Sequence, residues 1–437
     1  MPAEPLAPYD ALVLLSFGGP EGMPEVMPFL RRVTAGRGIP EERLAEVAEH
    51  YALFGGVSPI NAQNRALVAA LDAELARRGI AIPVHLANRN SPPFVRDVLA
   101  GLAPARLLTI LTSPYQSYSS CRQYREDLGV AAEGLDITVD KLPPYAAHPP
   151  FVEAVTAAVL ASVRDALAAR DDTGASATSP GTTDAAAAHP TDGTAAHPTD
   201  GTAAHPTDGT AAHPTDGTAA HPTDGAHPRQ DLALICVAHS IPEAADAAAG
   251  RPETGGHAYA RGLAAMAETV TAAVNTEFGL DLTPDLAWCS RSGAPHIPWL
   301  EPDILDRLDA VAGAGARTVV VAPIGFVSDH LEVVYDLDTE AREHALGLGL
   351  DFHRAATVGT DPVFVAGLVD LALARATAAR HGTPQAPAAD RVDPAAAGRV
   401  AHDLNVLAAL PPADCPPDCC RSQRPAKPTR CGREDPR

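Results

Sequence analysis

The chain has 437 residues and a net charge of −21, and 46% of its residues are hydrophobic. The charge argues against nucleic acid as a partner, because phosphate backbones are bound by basic surfaces. No segment approaches the roughly 18 consecutive apolar residues of a membrane-spanning helix, and the N-terminus lacks the basic region of a signal peptide. The seven cysteines, an odd number, do not suggest a disulfide framework. We therefore expect a cytoplasmic protein without a transmembrane segment.

The first 168 residues alternate between apolar runs typical of buried strands and segments with helical spacing. This alternation predicts an α/β fold with a parallel, doubly wound sheet. The segment 113–121, after the third strand, is polar and aromatic and is interpreted as a loop. Strands are predicted at 11–17, 83–87, 106–111 and 137–141, and helices at 25–32, 41–51, 62–78, 95–102 and 151–168.

Residues 169–230 differ in composition from the rest of the chain. The segment has almost no large apolar residues, so it cannot bury enough surface to offset its ordering entropy, and we expect a disordered insert. Its histidines would bind a metal only weakly, because proline and glycine keep the imidazoles from being preorganised. The pentapeptide HPTDG occurs five times with a period of eight, starting at His189, His197, His205, His213 and His221.

The alternation of strands and helices resumes in residues 231–382, which we interpret as a second α/β domain. Its last helix could pack back on the first domain. Residues 383–437 form a linker rich in proline and alanine and a tail rich in cysteine. Strands are predicted at 232–237, 286–289, 319–322 and a short segment ending at 356–357, and helices at 258–275, 303–312 and 364–380.

Two strand ends of the second domain carry residues suited to proton transfer and metal binding. His239 follows a buried strand, and Glu332, Asp336 and Glu340 follow another, spaced four apart on one face of a helix. Open α/β sheets build their sites at the carboxyl ends of strands, so the two segments could face each other. A neutral imidazole opposite a carboxylate can take protons and hold a divalent cation. The alternative for the acidic row is a solvated helix face.

Other candidate residues lie in the loops of the first domain and in the tail. The loops 55–59 and 115–124 combine serine or tyrosine with backbone amides that suit contacts with carboxylates or planar rings. The alternative is that these segments are ordinary turns without a binding role. Cys236 and Cys289 lie within strands and are expected to be plain buried cysteines. The high density of cysteines in the tail favours an iron–sulfur or zinc site over disulfides, and free thiols are the alternative. The tail cysteines are Cys415, Cys419, Cys420 and Cys431, and Cys121 could add a ligand from the folded core.

Five sequence blocks together resemble the ferrochelatases and occur in the order of that family. They cover nearly the whole chain apart from the insert, and the combination of AHSIP with SDHLE is very specific. Phe17 stands where some members have a tyrosine that can touch the metal, and Cys289 stands where a glutamine is usual. The blocks are LLSFGGPE (14–21), FGGVSPIN (54–61), AHSIP (238–242), SRSGAPHIPWLEP (290–302) and PIGFVSDHLEVVYDLD (323–338).

The resemblance implies a fold of two Rossmann-like domains, each with a parallel four-stranded sheet, and a porphyrin between them. It implies insertion of Fe(II) into the porphyrin without redox chemistry, with His239 and Glu332 as the catalytic and metal-binding residues. Asp336 and Glu340 would line the metal route. By the same resemblance, porphyrin is contacted at Ser58 and Tyr124.

The amino-acid sequences of the blocks are similar to those of the ferrochelatases found in high-GC Gram-positive bacteria. That type uses coproporphyrin III on a route to haem, and many of its members carry a [2Fe-2S] cluster. The four carboxylates of this substrate call for nearby cations, for which Arg89, Arg122 and Lys141 are candidates. The cluster ligands implied are Cys121, Cys415, Cys419 and Cys420, with Cys431 able to replace one of the adjacent pair.

Three other functions agree with parts of the sequence. The chain could use protoporphyrin IX, it could be a cobalt chelatase of cobalamin biosynthesis, or it could carry haem or iron without catalysis. A cluster-bearing redox sensor would leave the two α/β domains unexplained. We expect a monomer, with possible contacts to neighbouring enzymes of haem synthesis.

Overall fold

The computed structural model describes residues 4–36, 38–175, 231–292, 296–381, 419–421, 427 and 429. The HPTDG repeats, Cys415 and Cys431 lie outside these residues. Both sheets belong to one compact unit made of Met1–Leu167 and Arg229–Arg437. Of the second unit, Ala168–Pro228, only the end of one helix is described.

Each half of the compact unit contains a parallel four-stranded sheet, as the sequence predicted. The first sheet has the order β2-β1-β3-β4 and the second the order β6-β5-β7-β8. The first consists of β1 Ala11–Ser16, β2 Val84–Asn88, β3 Ala105–Leu111 and β4 Ile137–Lys141. The second consists of β5 Leu232–His239, β6 Leu286–Cys289, β7 Thr318–Ala322 and β8 Asp351–Arg354.

The inner strands are buried on both faces because helices cover both sides of each sheet. Every residue of β1 and of β7 is buried, and the in-register partners Leu14–Ile110 and Ile235–Val321 lie at the sheet centres. This burial explains why continuous β-branched and leucine runs located the strands. The last strand was predicted to end at 356–357, but β8 ends earlier, at Arg354.

The helices follow the strands in alternation. Those of the first half are α1 Met23–Val33, α2 Glu41–Ala52, α3 Ile60–Arg77, α4 Val95–Leu102, α5 Gln123–Ala131 and α6 Pro149–Ala175. Those of the second half are α7 Glu243–Ala247, α8 Ala258–Phe278, α9 Ile304–Gly313, α10 Leu331–Val333, α11 Arg342–Gly347 and α12 Pro362–His381.

Two π-helices lie in segments that bear site residues. The first, Tyr118–Arg122, runs into α5, so the interpretation of 113–121 as a loop was wrong for its last four residues. The Ser117 hydroxyl starts it by accepting a hydrogen bond from the Ser120 amide at 3.1 Å, a side-chain cap that composition does not reveal. The second, Val334–Ala341, continues α10.

Helix α12 returns from the second half to the first. Its Arg375 donates to Asp140 of β4 at 2.7 Å, and Arg78 at the end of α3 donates to the Ala366 carbonyl at 3.1 Å. Within the described residues its segment Pro362–Arg380 is the one helix long and apolar enough to cross a membrane. Half of that segment is buried inside the protein, and core helices pass the same test.

Candidate active site

His239 is the last residue of β5, and two backbone carbonyls fix its place. Its ring Nδ1 lies 2.5 Å from the Ser240 carbonyl, and its own carbonyl accepts a hydrogen bond from the Tyr259 hydroxyl at 2.9 Å. A carbonyl can only accept, so Nδ1 carries the proton and Nε2 of the neutral ring keeps its lone pair. That lone pair is 3.9 Å from a carboxylate oxygen of Glu332. The geometry therefore places a potential base, His239, beside the Glu332 carboxylate.

Glu332 lies in the short helix α10, immediately after β7 and its loop. His330 begins this helix, and its Nδ1 accepts a hydrogen bond from the Val333 amide at 3.4 Å. Burial first, and then the repulsion from His239 when that ring is protonated, lowers the pKa of His330 to about 3, so this second histidine stays neutral. The His239 and Glu332 side chains remain 32% and 45% exposed, so a substrate from solvent can reach both.

The acidic row continues along the second π-helix. Asp336 is half-buried and Glu340 is exposed. Burial first, and then the charge of Glu332, raises the pKa of Asp336 to about 7. The Ser290 hydroxyl donates a short hydrogen bond to Asp336. The charge of Glu340 adds a smaller contribution to this raised pKa, and the helix that carries Asp336 and Glu340 is of the π type.

A network of hydrogen bonds holds the loop that precedes Glu332. The Asp329 amide donates to Gln63 of α3 at 2.7 Å, and the Leu331 amide donates to the Ser58 hydroxyl at 3.1 Å. Arg354, at the end of β8, pairs with Asp329 and lies 3.2 Å from Asp338 in the π-helix. The start of the acidic row is thus tied to α3 and to β8.

Ser58 and Tyr124 lie inside the protein, 3% and 4% exposed. The Ser58 hydroxyl supports the Glu332 loop, and the Tyr124 ring packs in the core of the first sheet, with the Arg89 guanidinium 4.4 Å above it. Their assignment to porphyrin stays a prediction.

The three candidate cations for substrate carboxylates are also buried. Arg89 pairs with Asp127, and Arg122 pairs with Glu126 at 3.2 Å. Lys141 is 5% exposed and donates to the Leu142 carbonyl at 3.1 Å. The two guanidinium groups thus have carboxylate partners within the protein, and the assignment of the three residues to substrate carboxylates stays a prediction.

The two described tail cysteines dock on the second half. Cys419 and Cys420 are 4% and 1% exposed, and their sulfurs are 3.7 Å apart. The Gly250 amide donates to the Cys420 sulfur at 3.2 Å, and the Cys420 amide donates to the Gly250 carbonyl at 2.9 Å. Cys121 is buried in the first π-helix. Cys236 and Cys289 are buried strand cysteines, as predicted.

Sequence reasoning missed four side chains that shape the site. Tyr259 and Arg354 act from elements far along the chain, so no local pattern points to them. Ser290 follows β6 and has a left-handed φ of 61°, and its position after a strand was an available signal. His330 lies within the SDHLE block, but no role was predicted for it from the sequence. In the described part of the chain, no group of three or more His, Cys, Asp or Glu side chains is arranged to hold a metal.

Comparisons with known proteins agree with the sequence blocks. The family model described as ferrochelatase matches residues 9–176 and 212–376. The coproporphyrin III ferrochelatase of Streptomyces griseus subsp. griseus is 42% identical, over 98% of this chain and 98% of that protein. The one from Nocardia farcinica is also 42% identical, over 83% and 87% of the two chains.

Solved structures add a more distant likeness. The structure of SirB from Bacillus subtilis with Fe3+ aligns with a TM-score of 0.39 at 8% identity, covering 85% of this chain and 96% of that one. The resemblance given by the sequence blocks is confirmed by the family model and by the full-length relatives. The chain belongs to the ferrochelatase family.

Proposed function

We propose that this protein inserts Fe(II) into coproporphyrin III to form iron-coproporphyrin III in haem biosynthesis. The observation that carries the proposal is the pair formed by His239 and Glu332, whose Nε2 and carboxylate oxygen are 3.9 Å apart and whose side chains are 32% and 45% exposed. Relatives named coproporphyrin III ferrochelatases match this chain at about 40% identity over most of its length, which supports the choice of ring.

The reaction replaces two pyrrole N–H protons by one Fe(II), so the protein must accept protons while a cation enters. His239 takes a proton at Nε2, and the nearby Glu332 carboxylate stabilises the imidazolium that forms. Asp336, with a pKa of about 7, can pass a proton to water near neutral pH. The carboxylates at 332, 336 and 340 also attract the incoming Fe(II), because hard cations prefer oxygen ligands.

The experiment is anaerobic incubation with Fe(II) and either coproporphyrin III or protoporphyrin IX, followed by the visible spectrum of the product. We expect His239→Ala to lower the insertion rate by about a hundredfold or more, in the range attributed to general-base catalysis, while porphyrin binding stays measurable. His344→Ala is the matched control, because His344 is 34% exposed and pairs with Asp309 at 2.9 Å, outside the site. Near parental activity of His239→Ala would refute its role.

The same assay separates the other functions. Preference for Co(II) would indicate a cobalt chelatase, and faster insertion into protoporphyrin IX would change the substrate. Tight haem binding without insertion by the parental chain would indicate a carrier. Each of these results overturns the proposed reaction.

We also propose that the chain holds a [2Fe-2S] cluster through Cys121, Cys415, Cys419 and Cys420. Two thiolates on one tetrahedral metal, with metal–sulfur bonds of about 2.3 Å, lie about 3.8 Å apart, and the sulfurs of Cys419 and Cys420 are 3.7 Å apart. Both sulfurs therefore fit one iron, although they belong to adjacent residues. The Gly250 amide would stabilise the Cys420 thiolate. When bound, the cluster supplies a one-electron centre that iron insertion does not require.

Spectroscopy of the purified protein tests the cluster. We expect visible charge-transfer bands that Cys419→Ser abolishes. Cys236→Ala is the control, because burial raises the pKa of the Cys236 thiol to about 12 and leaves it protonated. Bands that survive Cys419→Ser, or a parental protein without bands after anaerobic purification, would contradict the proposal. We further propose that the protein is a cytoplasmic monomer, which sedimentation and cell fractionation would test.

A further inference from the structure

The described tail and the catalytic histidine are joined by a continuous series of direct contacts. Cys420 exchanges two hydrogen bonds with Gly250, one to its sulfur and one from its amide. A Cβ built on Gly250 would lie 2.7 Å from the Ala258 Cβ, so these two residues touch. Ala258 is the first residue of α8, and its amide donates to the Ala249 carbonyl at 3.2 Å. The tail therefore contacts the start of α8.

The next residue of α8 reaches the catalytic site. Tyr259 is 6% exposed, and its hydroxyl donates to the His239 carbonyl at 2.9 Å. The Tyr259 ring lies between Tyr115, at 6.1 Å between ring centroids, and Trp288, at 5.9 Å. Because the backbone of Tyr259 belongs to the first turn of α8 and its hydroxyl is bonded to His239, a shift of that turn would change the hydrogen bond at the end of β5.

The start of α8 is held by hydrogen bonds to α7 as well as by the contact with the tail. Asp246 of α7 is 2% exposed, and its carboxylate accepts hydrogen bonds from the Ala260 amide at 3.0 Å and from the His257 ring at 2.8 Å. His257 has a left-handed φ of 57°, and Gly250 has a φ of 94°. The segment between α7 and α8 is thus held by the Asp246 carboxylate on one side and, at Gly250, by the sulfur and the backbone amide of Cys420.

We propose that Tyr259 is a positioning residue for His239, and that the Cys419–Cys420 segment sets the place of Tyr259 through Gly250 and Ala258. The tail thereby contributes to the insertion rate through its docking on this segment. A displacement of the base by a fraction of an ångström misaligns proton transfer, which is sensitive to geometry. This inference rests on the proposed iron insertion.

The first test compares Tyr259→Phe with Tyr145→Phe in the full chain. Tyr145 is also buried, and its hydroxyl also donates to a carbonyl, that of Leu111 at 2.6 Å, so both variants lose one equivalent bond. We expect similar losses of thermal stability, but only Tyr259→Phe should lower kcat for iron insertion, by about tenfold. The KM values for Fe(II) and coproporphyrin III should stay within about twofold of the parental values.

The second test compares Gly250→Ala with Gly279→Ala. Both glycines have left-handed φ angles, but the new methyl group would press on Ala258 at position 250 and meet open space at position 279. Gly250→Ala should lower kcat and raise amide hydrogen exchange in residues 258–262, whereas Gly279→Ala should affect stability alone. In a Tyr259→Phe background, Gly250→Ala should have little further effect on kcat, since both act on one contact.

The outcomes separate this inference from the proposed function. A parental chain that inserts no iron contradicts the proposed function. A parental chain that inserts iron, with Tyr259→Phe matching Tyr145→Phe in kcat, overturns the positioning role. Equal effects of Gly250→Ala with and without the Tyr259 hydroxyl overturn the route from the tail.

Discussion

A single hydrogen bond decides which nitrogen of His239 can act as a base. Because Nδ1 is held by the Ser240 carbonyl, Nε2 faces Glu332 with its lone pair. His344 also pairs with a carboxylate, that of Asp309, but it lies on α11 away from any strand end. The chemistry of His239 thus depends on its position at the end of β5, because the chain turns there and the Ser240 carbonyl can accept a hydrogen bond from the ring.

Asp336 should make the stability of the protein fall with rising pH. Its pKa is raised from 3.8 to about 7, so the folded state favours the protonated form. The stabilisation is complete below pH 3.8 and is lost as pH rises through 7. In urea denaturation without metal, we expect the free energy of unfolding of the parent to fall relative to Asp336→Asn between pH 5 and pH 8. Glu340→Gln, at an exposed position, should follow the parent, and parallel curves for parent and Asp336→Asn would contradict the shift.

Sequence could identify His239 and Glu332 because both follow continuous buried runs, and strand ends of a parallel sheet share an edge. It could not show that Ser58 points at the Leu331 amide, because that bond joins residues 273 positions apart. The burial of Tyr124 and of the three candidate cations could not be read from the sequence either. Their residue types suit ring or carboxylate contacts, but their burial depends on partners in other elements.

At the scale of elements, the acidic row lies on a helix whose π type cannot be predicted from its sequence. A spacing of four fits an α-helix, yet Val334–Ala341 is a π-helix, whose i→i+5 bonds widen the turn. The strands were predictable because burial on both faces leaves a plain apolar run. The π-helices were not, since nothing in a local pattern distinguishes one extra residue per turn.

Arg354 should hold this element in place, because it joins the loop before Glu332 to the middle of the π-helix. Its side chain is 14% exposed, and its partners Asp329 and Asp338 are 16% and 38% exposed. We expect Arg354→Met to lower the free energy of unfolding by about 3 kcal/mol, because it leaves the largely buried Asp329 carboxylate without its cation. The insertion rate should fall as well, since Glu332 loses its support.

Arg317→Met is the matched control for Arg354→Met. Arg317 is 84% exposed and lies 3.9 Å from Asp231, so its removal should cost about 1 kcal/mol or less. Urea denaturation at pH 7 and the insertion assay measure both effects. Equal losses of stability in the two variants would show that the Arg354 pairs do not hold the π-helix.

At the scale of the whole molecule, α12 ties the second half of the chain to the first sheet. Asp140 of β4 accepts hydrogen bonds from three parts of the chain: Tyr9 at 3.0 Å, Arg106 at 2.9 Å and Arg375 of α12 at 2.7 Å. A second contact joins Asp370 of α12 to Arg78 at 2.5 Å. With both sheets in one compact unit, these ties should make the two halves unfold together.

Asp140→Ala tests this coupling. The substitution leaves Arg375, 8% exposed, without its carboxylate, so we expect a loss of about 3–5 kcal/mol. Asp370→Ala removes the other tie, but Asp370 is 57% exposed, and the expected loss is about 1 kcal/mol or less. Both variants should unfold in urea in one transition, seen at the same midpoint by circular dichroism and by the fluorescence of Trp288 and Trp299, which report on the second half. If Asp140→Ala instead moves the circular dichroism transition while the tryptophan transition stays at the parental midpoint, the halves unfold separately and the α12 tie does not couple them.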